Sequence, residues 1–288
     1  MKIIQGDALS ELKKLSSESI DMVITSPPYW ALRDYGVEGQ LGLEPTFQEY
    51  INKLCDIFDE VKRVLKKEGT CWVNLGDTYS GNKEGKTDNK VSSYLKDNCQ
   101  GIHKKATIQE KCLCQIPSRF AIEMTNRGWI LRNEIIWHKP NCMPSSVKDR
   151  FTVDFEKIFF FVKSKKYYFE TQYQNSTYKD NRLGLGRLNY GGKRNTSVVV
   201  SEKRNMRAVW KITTKGFSEA HFAVYPEKLI ETPIKAGCPE KGIVLDPFFG
   251  AGTTGLVAQK LNRNWIGIEL NPEYIKIANK RLRQKSLL

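Results

Sequence analysis

Two short segments carry side chains whose types and spacing suit them to chemistry. The first is Thr25-Ser26-Pro27-Pro28-Tyr29-Trp30. It follows Ile-Asp-Met-Val-Ile-Thr at 20–25, a run that reads as a buried strand. Two consecutive prolines cannot continue a central strand, so the chain turns there, and the rings make the turn rigid. Pro27 keeps a carbonyl with no N–H at Pro28 to compete for it, and Ser26 adds a hydroxyl acceptor. Together the two oxygens can accept both hydrogens of one exocyclic amino group. Tyr29, and Trp30 beside it, offer faces for a planar ring. A base inside a duplex is out of reach until it leaves the stack, and a pocket of this kind suits an extruded base. The plainer alternative is a structural Pro-Pro turn over a buried aromatic.

The second segment runs from Ile243 through Asp246-Pro247-Phe248-Phe249-Gly250-Ala251-Gly252-Thr253-Thr254-Gly255. Gly250, Gly252 and Gly255 fit G-x-G-x-x-G between an apolar strand and a helix, and a further strand ends in Glu269. Glycines let backbone approach a ligand, and an acid at the tip of the next strand can grip two ribose hydroxyls. The alternative is a tight packing turn between helix and strand. Two features argue against NAD. The unit stands at the end of the sequence, with no second nucleotide-binding half after it. Asp246 precedes the glycines, where an anion repels a diphosphate but can receive an ammonium group. S-adenosylmethionine has an ammonium, a ribose and no diphosphate, and it fits these charges better.

Alternating strand and helix patterns must position both turns. Strands are expected at 2–5, 20–25, 70–75, 129–137, 157–162, 242–245 and 265–269, and helices at 8–15, 47–66, 117–127, 226–236, 253–261 and 272–285. The helix at 47–66 shows apolar residues at helical spacing and stops on a basic last turn followed by Gly69. This order predicts an α/β fold with a doubly wound, mainly parallel sheet. In such sheets the strand C-termini line the ligand crevice. Residues 80–111 are polar and without period, and read as a mobile loop. Asn74 and Asp77, after the strand at 70–75, are candidates either for lining the crevice or for binding a turn. His138 and Lys139, after the strand at 129–137, face either DNA phosphate or solvent.

The chain has 288 residues, with Lys+Arg 46 against Asp+Glu 32 and a formal net charge of +14. Between Lys163 and Lys215 stand 13 basic residues and three acids, so most of the excess sits in one stretch. Such a concentration, interleaved with Tyr and Asn, suits nucleic acid, since cations neutralise phosphate and amides read base edges. A solvated insertion is the bland alternative. No run reaches the ~18 apolar residues of a membrane span. The start lacks the ~7–15 residue apolar core of a signal peptide, so a cytoplasmic location is expected. The 7 cysteines, odd in number and irregularly spaced, do not form a disulfide framework. Cys99, His103, Cys112 and Cys114 do not have the spacing of a zinc knuckle, so no metal is expected.

Together these residues resemble the DNA amino-methyltransferases that act on N4 of cytosine or N6 of adenine. The order, catalytic motif before cofactor motif, is similar to that of their circularly permuted group. The resemblance spans nearly the whole chain apart from residues 80–111 and the basic region. It implies a class I, Rossmann-like methyltransferase domain. Residues 1–162 would form its catalytic part, 163–216 a basic target-recognition region, and 217–288 its S-adenosylmethionine-binding part. It implies Ser26, Pro27, Pro28 and Tyr29 as catalytic residues. It implies Asp7, Ala8, Phe222, Asp246, Phe248, Gly250, Gly252, Thr253 and Glu269 as cofactor-binding, with Asp7 facing the adenine amino group and Glu269 the ribose. A serine at the head of the tetrapeptide is similar to the N4-cytosine members, Asp or Asn being typical of N6-adenine members. No Pro-Cys dipeptide occurs, which argues against C5-cytosine methylation. Duplex DNA is the implied partner and the enzyme would be a monomer or homodimer, with a separate restriction endonuclease as a possible companion. The readings left from other classes are an NAD-type oxidoreductase and a non-enzymatic nucleic-acid binder.

Overall fold

The computed structural model describes residues 1–81, 108–175, 203–214 and 224–284. In chain order the elements are β1 (Lys2–Gln5), α1 (Ala8–Lys14), β2 (Ile20–Thr25), α2 (Phe47–Val64), β3 (Leu65–Leu75), α3 (Ile116–Asn126), β4 (Ile130–His138), β5 (Phe155–Val162), β6 (Tyr173–Asn175), β7 (Lys203–Asn205), β8 (Val209–Lys211), α4 (Glu227–Gly237), β9 (Ile243–Asp246), α5 (Thr253–Lys260), β10 (Asn264–Glu269) and α6 (Pro272–Gln284). Eight strands form one sheet in the order β1-β10-β9-β2-β3-β5-β4-β8, and β6 pairs with β7 separately. All neighbours in the large sheet are parallel except where β5 meets β3 and β4.

The strands are apolar on both faces because helices cover both. Val23, Cys71, Val73, Phe159 and Phe161 join one core with residues of α1, α2 and α3. Met22, Ile24, Trp72, Phe160 and Val244 alternate with them into a second core under α4, α5 and α6. Each fully buried Phe or Leu in these layers stabilises the fold by roughly 1.5–3 kcal/mol. Helix starts follow from the sequence: the Asp7 side chain accepts from Ser10 N–H at 2.9 Å and Thr46 Oγ1 from Glu49 N–H at 3.2 Å.

The main departure from the sequence reading lies between α2 and β3. A helix to residue 66 and a strand from 70 were expected. Instead the helix ends at Val64 and the chain goes directly into an extended strand. Leu65 is fully buried opposite Ile20, and a register shift between Ile20 and Met22 absorbs the extra residues. Burial of Leu65 and pairing with β2 outweigh the helical preference of Lys66, Lys67 and Glu68. A second finding concerns the basic region: β8, from within 163–216, is an edge strand of the large sheet, parallel to β4. Most of that region, the greater part of 80–111, and Cys99 and His103 lie outside the described residues; of the other two residues weighed as metal ligands, Cys112 is exposed and Cys114 buried. Among the described residues no helix is long and apolar enough to cross a membrane.

Candidate active site

β2 and β9 are adjacent parallel strands, paired through Met22–Val244 and Val23–Leu245. Their C-terminal ends carry the two turns singled out in the sequence, which therefore emerge side by side. Thr25 Oγ1 donates to Asp246 Oδ1 at 2.6 Å, joining positions 221 residues apart. A cavity of about 1030 Å³ opens over this junction. Ser26, Pro27, Pro28 and Tyr29 line one part of it, and Asp7, Ala8, Phe248, Gly250, Thr253 and Glu269 another. Asp246 and Gly252 stand behind the lining, and Phe222 lies outside the described residues.

At the Ser-Pro-Pro-Tyr end, the Pro28 carbonyl accepts from Tyr50 O–H at 2.8 Å, which pins the turn to α2. Tyr29 lies against the end of β3. A Cβ on Gly76 would come within 2.5 Å of its ring, so only glycine permits this approach. The Tyr29 hydroxyl donates to Glu156 Oε2 at 2.7 Å. Ser26 Oγ is 3.4 Å from both the Tyr29 hydroxyl and Asn74 Oδ1. Burial, then the Glu156 charge, pushes the Tyr29 hydroxyl well above its ordinary pKa, so it stays protonated.

At the glycine end, Gly250 adopts φ +51°, and a Cβ there would meet nothing within 4 Å, so the space over the turn is open. Glu269 fastens the turn: Oε2 accepts from Gly250 N–H at 2.7 Å and Oε1 from Asn271 N–H at 2.8 Å. Burial raises its pKa, and these backbone donors pull it back. Arg281 of α6 braces the turn through the Ala251 carbonyl at 2.6 Å and Thr253 Oγ1 at 3.1 Å.

Asp246 is buried between the two turns. Its carboxylate already accepts from Thr25 Oγ1, Phe248 N–H (3.0 Å), Thr254 Oγ1 (2.5 Å) and the Tyr225 hydroxyl (3.1 Å). The Tyr225 and Thr254 hydroxyls also touch each other, so their two protons are shared between that contact and the carboxylate, while Thr25 and Phe248 hold the other oxygen. Burial raises its pKa and those hydrogen bonds counter the rise.

Of the other residues weighed from the sequence, Asn74 lines the cavity. Asp77 binds turns instead, accepting from Thr78 and Ile116 N–H at 2.9 and 3.0 Å. Lys139 also lines the cavity and pairs with Glu156, whereas His138 sits 3.3 Å from Asp154. Tyr225, from the segment 221–226 that the resemblance places at the methionine end of the cofactor, lines the cavity; sequence reasoning missed Glu156 and the segment after Trp30, where Leu32, Arg33 and Tyr35 wall the cavity beside Tyr274. A bulky, aromatic segment directly after the Ser-Pro-Pro-Tyr turn was the available signal for the last of these.

A doubly wound sheet with a cleft at the ends of its central strands, a glycine turn on one side and an acid closing the next strand, defines a class I, Rossmann-like methyltransferase. The family model described as DNA methylase matches residues 20–280, and the chain belongs to that family, whose members are the N6/N4 DNA methyltransferases. It is 41% identical over 287 residues to the Type II methyltransferase M.SmaI of Serratia marcescens, covering 98% of this chain and 90% of that protein. It is 42% identical over 286 residues to the Type II methyltransferase M.Cfr9I of Citrobacter freundii, covering 97% and 87%. The solved structure of PvuII DNA methyltransferase (cytosine-N4-specific) shares the fold, with a TM-score of 0.67, 23% identity, and coverage of 97% of this chain and 85% of that one.

S-adenosylmethionine is the cofactor of this family of enzymes, and the donor set fits it: a buried carboxylate at the tip of β10, open space over Gly250, and the apolar walls Leu32 and Phe248.

Proposed function

We propose that the protein methylates N4 of cytosine in duplex DNA, on a base extruded into the cavity, as the modification half of a restriction-modification pair. The observation that carries this reading is the placement of Ser26 and Pro27 in the same cavity as the Gly250 turn. Asp7, Phe248, Gly250, Thr253 and Glu269 would hold S-adenosylmethionine, with Glu269 at the ribose. When bound, the cofactor supplies a methyl group activated by its sulfonium sulfur.

The chain's own part is orientation. Ser26 Oγ and the Pro27 carbonyl accept the two hydrogens of the amino group. Its lone pair, otherwise delocalised into the ring, is thereby localised and aimed. Tyr29 holds the ring face. Orientation of this kind supplies as much as ~7–11 kcal/mol of a barrier. Asp246 acts as a brace, holding Thr25, and with it Ser26, against the glycine turn. Serine rather than Asp or Asn at position 26 favours cytosine over adenine.

The test is transfer of label from tritiated S-adenosylmethionine to duplex DNA, followed by digestion and mass spectrometry of the nucleosides. N4-methyldeoxycytidine is expected. N6-methyldeoxyadenosine would overturn the base assignment, and label on RNA but not DNA would overturn the substrate. Ser26→Ala should lose about 10²–10³-fold in kcat, by comparison with loss of one oxyanion-hole donor.

A further inference from the structure

On the side of the cavity away from the glycine turn, Glu156 makes three contacts that the roles assigned so far do not use. It is the second residue of β5 and sits opposite Trp137 of β4. Its Oε2 accepts from the Tyr29 hydroxyl at 2.7 Å and from Asn74 Nδ2 at 3.0 Å. Its Oε1 is held by Lys139 Nζ. The Lys139 ammonium in turn lies 4.6 Å from the centre of the Trp137 ring. The Lys139 and Glu156 side chains are only 18% and 16% exposed, so neither is a surface charge.

The consequence is a direction imposed on every proton in the network. A carboxylate has no proton to give, so the hydrogen bond to Glu156 must use the single hydroxyl proton of Tyr29. That leaves the Tyr29 oxygen as an acceptor. The Asn74 amide is oriented in the same way. Its Nδ2 donates to Glu156 and to the Lys157 carbonyl at 3.2 Å, so its Oδ1 faces Ser26 and Tyr29. Ser26 Oγ, 3.4 Å from both of these acceptors, has its own proton drawn toward them. Its lone pairs, not its proton, are then left for an incoming amino group.

We infer that Glu156 is a positioning residue that sets the hydrogen-bond polarity of Ser26 through Tyr29 and Asn74, with Lys139 holding the carboxylate in place. This rests on the reading of Ser26 as an amine acceptor. Gln at position 156 keeps the size of the side chain but adds two donor hydrogens and leaves Lys139 without its counter-charge. The network can then turn round and present the Ser26 proton to the amine.

The experiment measures single-turnover methyl transfer, together with cofactor and DNA binding, for the full chain, Glu156→Gln, Ser26→Ala and the double variant. Glu156→Gln should slow transfer about 10–100-fold, the effect of losing a charged hydrogen bond, with both affinities unchanged. The double variant should be no slower than Ser26→Ala alone, because Glu156 acts through Ser26. A role in folding only would not produce that coupling. Full transfer by Glu156→Gln beside a slow Ser26→Ala overturns the inference and leaves the Ser26 reading standing. Losses that multiply in the double variant also overturn it. Full transfer by Ser26→Ala overturns the reading itself. If Glu156→Gln melts below the assay temperature, Tyr29→Phe carries the same test, since it cuts the link to Glu156 and keeps the ring. It should be slow alone and no slower with Ser26→Ala; full transfer by Tyr29→Phe, or multiplied losses, overturns the inference.

Discussion

Thr25→Val tests whether the two turns are mechanically joined. Valine has nearly the shape of threonine but replaces Oγ1 with a methyl group. The lost bond is 2.6 Å long, buried, and made to a carboxylate. A hydrogen bond to a charged group contributes about 1.5–3 kcal/mol. At about 2.1 cal/mol/K of unfolding entropy per residue, a chain of this size should melt roughly 2–5 °C lower. The pH dependence has a defined sign. Burial already raises the Asp246 pKa, and Thr25 is among the groups that pull it down. Removing that donor raises the folded-state pKa further, so the variant's native state keeps its proton to higher pH than the parent's. Between the two folded-state values the variant therefore loses stability relative to the parent as pH rises. The melting difference should be larger at about pH 8 than at about pH 5. Thr25→Ser, which keeps the hydroxyl, should recover most of the loss. Differential scanning calorimetry at both pH values, with single-turnover transfer in parallel, makes the measurement. A Thr25→Val protein that melts with the parent at both pH values and transfers methyl at the parental rate would refute the coupling.

Glu269→Gln should weaken S-adenosylmethionine binding by about 10–100-fold in isothermal titration, because only one of its two backbone donors retains an acceptor and the ribose loses a charged partner. Unchanged affinity would remove Glu269 from the cofactor site. Gly267→Ala should cost about 1–3 kcal/mol in urea unfolding, since the added Cβ would lie 2.2 Å from Phe249 Cγ and force apart the Phe249–Trp265 stack. A midpoint equal to the parent's would mean that this stack gives way freely.

The strand and helix order was legible because each element has a clear period, and the glycine turn because the residues that shape it are adjacent in sequence. Ser26 and Tyr29 were legible for the same reason. Glu156 was not. Its place opposite Tyr29 depends on β5 running antiparallel to β3, in a register that pairs Asn74 with Ile158. Nothing in Phe155–Val162 distinguishes an antiparallel strand from a parallel one. The α2–β3 boundary was misread because a lysine-rich turn before glycine satisfies the local rules for ending a helix, and only pairing with Ile20 overrides them. For Asp246 the residue was found and its partners were not. Thr25, Thr254 and Tyr225 converge on it from three separate segments, which the spacing of Asp246 before the glycines does not show.

The position of the cleft follows from topology. From β9 the chain passes through α5 to β10 on one side; from β2 it passes through α2 to β3 on the other. The strands β9 and β2 are adjacent and parallel, and their onward connections diverge, which opens a crevice beyond their C-terminal ends. A crevice there requires only that these two strands pair. It places no demand on which is encountered first along the chain, nor on what lies between them. The Ser-Pro-Pro-Tyr turn can therefore precede the glycine turn, and the basic segment can occupy the connection, without disturbing the contact between Thr25 and Asp246. In this chain the residues that end the two strands also tie the two ends together. The Thr25–Asp246 bond does this directly, and it places Ser26, the next residue, beside the glycine turn.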